Sequence, residues 1–186
     1  MERMLDFALS GLACWLLFFP LGLFVWSLLE YVIHGPLSHK MGGYASRMHL
    51  HHHRHTEDIF TSPMVWVPLA LLIFVAHWLI FGLEVALPLS LGAVVGFLRY
   101  EWLHWRIHFR EPRNAFERRI RAHHLAHHYR RPQFCFGVTT PFWDRVFKTL
   151  PDSYDADCAW ALEKPVLTTK SNFGRLYGLG GGAEES

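Results

Sequence analysis

The stretch VALPLSLGAVVGFLRYEWLHWRIH, residues 85–108, decides the architecture. From Val85 to Leu103 it is apolar or small, with charge only at Arg99 and Glu101 near its end. Two histidines four apart, His104 and His108, follow at once. The same order appears upstream. Phe7 to Leu29 is an uncharged run of a length that as a helix spans roughly 35 Å, against a hydrocarbon core of about 30 Å. His34 and His39 come just after it. A further apolar run, Met64 to Phe81, is separated from Val85 only by Gly82, Leu83 and Glu84, which reads as a tight helical hairpin. The first run is too long for the core of a signal peptide and lacks a clean small-residue cleavage site, so it reads as a retained anchor. Pro20 and Gly22 are its candidate kink points.

The whole composition agrees. Of 186 residues 51% are apolar, 16% aromatic and only 18% charged, which excludes a disordered or collagen-like chain. The net charge of +2 implies no nucleic-acid partner. Cys14, Cys135 and Cys158 are odd in number and far apart, so they form neither a disulfide framework nor a cysteine-based zinc finger.

Charge orients the spans. Residues 99–148 hold eleven Lys or Arg against four Asp or Glu, and Lys40, Arg47 and Arg54 lie in the first connection. The hairpin turn has no Lys or Arg, and the N-terminus has only Arg3. The positive-inside rule therefore places residues 34–63 and the chain after 104 in the cytoplasm. Three crossings put Met1 on the far side; a bent, re-entrant first segment would return it to the cytoplasm. The run Arg118, Arg119, Arg121, Arg130, Arg131 reads as a solvated face near anionic headgroups, since no nucleic-acid recognition module accompanies it.

Thirteen of the 14 histidines fall in four clusters. These contain the pair His34/His39, the triplet His49/His52/His53, the pair His104/His108 and the triplet His124/His127/His128. Helical positions i, i+3 and i+4 share one face, so each triplet projects three imidazoles and the second pair two. On a continuous α-helix His34 and His39 diverge by about 140°; Gly35 and Pro36 predict that the helix ends there, freeing both rings to turn inward. All four clusters follow apolar spans, and folding the spans together gathers them. Neutral imidazole suits iron, zinc, copper or nickel and is a poor ligand for calcium or magnesium. Ten histidines exceed one ion's needs and suit two. His51, His55 and His123 offer alternative registers, but only those starting at His49 and His124 complete the HxxHH pattern. His77, alone within an apolar span, reads as a hydrogen-bonding group between helices.

In order, these clusters read HX4H, HxxHH, HxxxH, HxxHH, and the sequence resembles the membrane-bound fatty acid hydroxylase superfamily, which includes the sterol desaturases. Leu29-Glu-Tyr-Val-Ile-His34 looks like the family's first block, and Tyr100-Glu-Trp-Leu-His104 like the block before its third. Ala122-His-His-Leu-Ala-His-His128 followed by Phe136-Gly-Val-Thr-Thr-Pro-Phe-Trp-Asp-Arg-Val-Phe147 is especially similar to the fatty acid 2-hydroxylase branch. The resemblance covers about residues 25–150. It implies an all-α integral membrane protein of about three transmembrane helices, with a cytoplasmic helical cap holding a histidine-rich dimetal site. It also implies that His34, His39, His49, His52, His53, His104, His108, His124, His127 and His128 are the metal ligands. The implied cofactors are two non-haem iron ions, with O2 as cosubstrate, and zinc competes with iron in an isolated sample. The implied reaction is hydroxylation of a lipid acyl chain; a sterol-type desaturase or oxidase, or a carotenoid hydroxylase, is the alternative within the superfamily. Eukaryotic 2-hydroxylases often carry a fused haem domain. No His-Pro-Gly-Gly signature of one is present here, so electrons are expected from a separate redox partner.

Asp58, Glu101 and Asp144 are candidate partners for the free N–H of ligand imidazoles. Phe142, Trp143 and Trp105 read as interfacial anchors. Residues 1–150 are read as the catalytic domain. Residues 151–186 are read as a cytoplasmic appendage, flexible at its glycine-rich end Gly178–Ala183. A membrane metal-binding or transport protein is the rival from another class. Transport calls for ionisable residues through the depth of the bilayer, and here only His77 lies far from the span ends.

Overall fold

The computed structural model describes residues 2–177; the glycine-rich end lies outside them. Among the described residues it is all-helical: α1 (Glu2–Val32) with a π-helical extension (Ile33–Lys40), α2 (Gly43–Arg54), α3 (Pro63–Phe81), α4 (Leu83–Phe109), α5 (Ala115–Tyr129), α6 (Phe142–Val146), α7 (Tyr154–Ala161) and α8 (Phe173–Leu176). Three helical stretches, Gly11–Lys40, Pro63–Phe81 and Leu83–Phe109, are long and apolar enough to cross a membrane. α1 runs through Pro20 without a break in its helical backbone.

The chain forms two compact units, divided at Leu29/Glu30, Thr61/Ser62 and Arg99/Tyr100. The first contains most of α1, α3 and the start of α4. Here α1 and α4 approach backbone to backbone: a Cβ on Gly22 would stand 2.1 Å from the Leu89 carbonyl oxygen, and one on Gly92 2.2 Å from that of Phe19. Small residues that admit such contact are how helices associate in lipid, where burial of apolar surface gives no drive. Trp26 meets Phe97 edge-on at 5.2 Å, and His77 Nδ1 pairs with Ser90 Oγ at 2.8 Å, joining α3 to α4 as the sequence suggested. No residue of α3 is buried and its surface is leucine, valine and aromatic, as expected of a lipid-facing helix.

The second unit has a core of Leu103, Ile107, Ile120, Leu125, Ala126, Val138 and Ala161. Asn114 caps α5 by accepting the Glu117 N–H at 2.9 Å. Glu117 in turn takes Arg106 Nη2 at 2.6 Å, which fixes α5 against the end of α4. Residues 151–177 pack into this unit. α7 lies on α5, Asp157 is ion-paired with Arg130 at 2.8 Å and Arg131 at 3.1 Å, and Leu167 N–H reaches the His108 carbonyl at 2.8 Å.

The expected helix end at Gly35 and Pro36 does not occur. The helix instead widens to π geometry from Ile33 to Lys40, with Pro36 inside it. In a π-helix the repeat is i→i+5, so His34 and His39 fall one above the other, and their ring centroids lie 6.1 Å apart. HX4H is thus to the π-helix what HxxxH is to the α-helix.

Candidate metal centre

The ten histidines gather into two groups of five, each with ligand nitrogens within 4.8 Å of one another. The first is His34, His39, His49, His53 and His127; the second is His52, His104, His108, His124 and His128. Each triplet is divided between the groups. Positions i and i+4 on an α-helix differ by about 40°, whereas i+3 lies about 60° to the other side of i. His49 and His53 therefore face one group while His52 on the same helix faces the other; on α5, His124 and His128 face the second group and His127 the first. Each group has the same composition: a pair, the outer histidines of one triplet, and the i+3 histidine of the other.

The nitrogens are placed as metal ligands are. In the first group the Nε2 atoms form a closed ring: His39–His49 2.8 Å, His49–His53 2.8 Å, His53–His127 3.0 Å and His127–His39 3.2 Å. Four neutral imidazoles cannot satisfy this ring as hydrogen bonds, because each Nε2 carries one proton or one lone pair but has two Nε2 neighbours, and His127 gives its one N–H to the Phe134 carbonyl from Nδ1. Ligands about 2.0–2.1 Å from one ion and at right angles to each other stand about 2.9 Å apart, against about 3.4 Å at tetrahedral angles. The ring is therefore spaced as nitrogens that share one ion are. In the second group His108 and His124 approach at 3.1 Å through Nε2. Both ring nitrogens of His52, His104 and His128 are buried with no hydrogen-bond partner. Unpaired buried polar atoms of this number are costly unless an ion takes them.

Electrostatics keeps the rings neutral. Burial, then repulsion from neighbouring imidazoles, lowers His49, His52, His124, His127 and His128 well below the usual histidine range. Burial, followed by His39, brings His53 down to about 4. At neutral pH each presents a free lone pair.

Two of the ten histidines have their second nitrogen held by main chain. His127 Nδ1 donates to the Phe134 carbonyl at 2.7 Å, and His34 Nδ1 to the Phe136 carbonyl. This fixes the tautomer with Nε2 free. Two carboxylates hold the loop that carries these carbonyls. Glu30 accepts Val138 N–H at 2.7 Å, Thr139 N–H at 2.6 Å and the Thr139 hydroxyl at 2.7 Å. Asp144 accepts Phe136 N–H at 2.7 Å and Gly137 N–H at 2.8 Å. Glu30 was not singled out from sequence, where one carboxylate ending an apolar run carries no distinguishing signal; nor do backbone carbonyls.

The three candidate carboxylates have other partners than the ten histidines. Asp58 takes His51 Nε2 at 3.0 Å and Arg175 at 2.7 Å. Glu101 takes the Thr61 N–H at 3.0 Å and hydroxyl at 2.8 Å, tying the α2–α3 connection at Thr61 to α4. Asp144 takes His123 Nε2 at 3.1 Å, and His123 Nδ1 meets the Tyr154 hydroxyl at 3.0 Å. Burial raises the Asp144 carboxyl, but hydrogen bonds from His123, Thr149 and Gly137 outweigh it and hold the group below the usual carboxylate range. His51 and His55 stack on each other at 4.5 Å outside both groups. Trp143 is buried, which corrects its reading as an interfacial anchor, while Phe142 beside it is exposed. Adjacent residues on an α-helix point about 100° apart, so α6 can bury Trp143 and leave Phe142 exposed.

The sequence model of the fatty acid hydroxylase family matches residues 19–149. The chain is 34% identical over 146 residues to the ceramide very long chain fatty acid hydroxylase scs7 of Schizosaccharomyces pombe, covering 71% of this chain and 42% of that one. It is 32% identical over 167 residues to the fatty acid 2-hydroxylase of Homo sapiens, covering 82% and 41%. To a dihydroceramide fatty acyl 2-hydroxylase of Arabidopsis thaliana it is 32% identical over 141 residues, covering 70% and 59%. The solved structure of full-length scs7p, in which only the hydroxylase domain is visible, superposes with a TM-score of 0.65 at 26% identity, covering 84% of this chain and 60% of that one. The chain spans about two-fifths of the length of the first relatives it matches. With a family match across most of its length and its histidines in two converging sets, the chain belongs to the fatty acid hydroxylase family.

Proposed function

We propose that this chain is the catalytic region of a membrane-bound oxygenase that hydroxylates a C–H bond of a lipid acyl chain. The ten histidines hold two iron ions, and electrons come from a separate donor protein. The balance is R–H + O2 + 2 e⁻ + 2 H⁺ → R–OH + H2O. The observation that carries this reading is the pair of five-imidazole groups in a chain of the fatty acid hydroxylase family. The names of the relatives bring two further points: the acyl chain is that of a ceramide or a fatty acid, and the oxidised carbon is the one beside its carbonyl.

The residues fit iron. All ten donors are neutral imidazoles, which suit iron, zinc, copper or nickel, and each group of five brings its nitrogens within reach of a single ion. When bound, the two irons supply the redox chemistry that activates oxygen and replaces hydrogen by hydroxyl on an unactivated carbon. The protein's part is to place and shield. The Phe134 and Phe136 carbonyls keep the protons of His127 and His34 on Nδ1, leaving Nε2 to the ion. Burial of His34, His52, His104, His108, His124 and His127 excludes water from the oxidant. The apolar spans hold the enzyme where its substrate is dissolved, and the excess of Arg and Lys after Arg99 supports a centre on the cytoplasmic side. Residues 1–150 form the catalytic domain and 151–186 an appendage to it.

Untargeted lipid mass spectrometry on cells expressing the wild-type chain or His127→Ala tests the reading. The expected result is a lipid that gains one oxygen only with the wild type, with fragmentation locating the hydroxyl beside the acyl carbonyl. Loss of two hydrogens instead would establish a desaturase. No change in any lipid, with a competent electron donor present, would return the chain to the metal-binding alternative.

A further inference from the structure

Asp144 lies next to no metal ligand in sequence and touches none of the ten, yet it is fully buried and all four of its hydrogen bonds are received from within the second unit. Oδ1 takes the Phe136 N–H and the Thr149 hydroxyl, both at 2.7 Å; Oδ2 takes the Gly137 N–H at 2.8 Å and His123 Nε2 at 3.1 Å. The Gly137 N–H that it grips belongs to the same peptide as the Phe136 carbonyl that fixes His34. Gly137 admits no side chain there: a Cβ would stand 2.1 Å from the Thr140 carbonyl oxygen and 2.9 Å from Asp144 Oδ2. Cys135, just before the gripped residues, has φ of 60°, a left-handed conformation that an L residue keeps only where surrounding bonds hold it.

The two histidine groups differ in this respect. The loop's carbonyls serve His127 and His34, both in the first group. Among the described residues, the second group's His104, His124 and His128 have no such acceptor for Nδ1, and the main-chain group that acts on His52 belongs to Asp58, outside this loop. We propose that Asp144 is a positioning residue for the first group alone, acting through the Phe136 peptide on His34 and through the 134–137 loop on His127. The two ions are therefore held unequally in their dependence on this loop. The inference rests on the dimetal reading above.

Asn cannot replace Asp144 here. Its amide keeps one acceptor oxygen, and its NH2 would face two donors: Gly137 N–H and His123 Nε2 one way round, Phe136 N–H and the Thr149 hydroxyl the other. The loop must move, and the Phe136 carbonyl with it. Loss of an outer hydrogen bond to a ligating histidine typically weakens metal binding about 10–100-fold.

The test is titration of the full chain in detergent with Co(II) against a chelator, followed by the ligand-field absorption of Co(II). The wild type is expected to take two ions. In a His108→Ala background, which leaves the first group, adding Asp144→Asn weakens the remaining Co(II) by about 10–100-fold. In a His39→Ala background, which leaves the second, the same change keeps affinity within about twofold. Equal weakening in both backgrounds, or none in either, overturns the role of Asp144. Fewer than two Co(II) on the wild type overturns the dimetal reading itself, which is a separate failure. Should Asp144→Asn not accumulate as folded protein, Thr149→Val removes one of the four bonds and is expected to weaken the first group alone, by about two- to tenfold; no shift, or a shift in both groups, overturns the proposal.

Discussion

A methyl group added at Gly35 would stand 2.7 and 2.8 Å from two ring atoms of Phe136, the residue whose carbonyl holds His34. The position sits between a ligand and its support, and its neighbours cannot yield at a flexible tip because the contact is at the base of the ring. Gly35→Ala is therefore expected to cost about 1–3 kcal/mol by overpacking, read as a fall of several degrees in Tm. It should also lower metal content at the first group; a variant with unchanged Tm and full metal would contradict the packing. Sequence displayed the ligand at this scale and hid its support. Histidine is rare enough that thirteen of 14 copies in four clusters declare themselves. The Phe134 and Phe136 carbonyls belong to groups that every residue carries. Asp144 was visible as a carboxylate in the right block, but its partners, two amides, a hydroxyl and the non-ligand His123, follow only from the folded loop.

At the scale of elements, helical spacing has set which histidines act together. Neighbours in sequence, His52 and His53, belong to different groups, and so do His127 and His128. The variant His52→Ala/His128→Ala is expected to lose one metal per chain and retain the other, because both residues serve the second group. His52→Ala/His53→Ala removes one ligand from each group and is expected to deplete both ions. Metal analysis of the purified variants distinguishes the two patterns; equal depletion in both would break the division into groups. The spans and the α-helical triplets were legible because apolar runs and 3.6-residue periodicity are local signals. The π-helical extension was not. Gly35 and Pro36 are ordinary helix breakers, and only the requirement that His34 and His39 meet on one face makes a wider turn the better solution.

At the scale of the whole molecule, three apolar helices and a histidine-lined helical unit are built from 186 residues. The order of span, pair and triplet occurs twice in the sequence, and its consequence is two histidine groups of matching composition. That correspondence explains why a short chain can gather ten imidazoles, six of them buried, into two groups: the same two helices, α2 and α5, contribute three histidines apiece and exchange their i+3 members. Two ions held there, as proposed, would insert an oxygen atom from O2 into a lipid. The most direct measurement is turnover of iron-loaded protein, with an electron donor and a ceramide, under 18O2 in ordinary water, with the product weighed by mass spectrometry. The account predicts an alcohol 2 Da heavier than the one formed under 16O2. An alcohol of unlabelled mass, or a product that has lost two hydrogens and gained no oxygen, would contradict it.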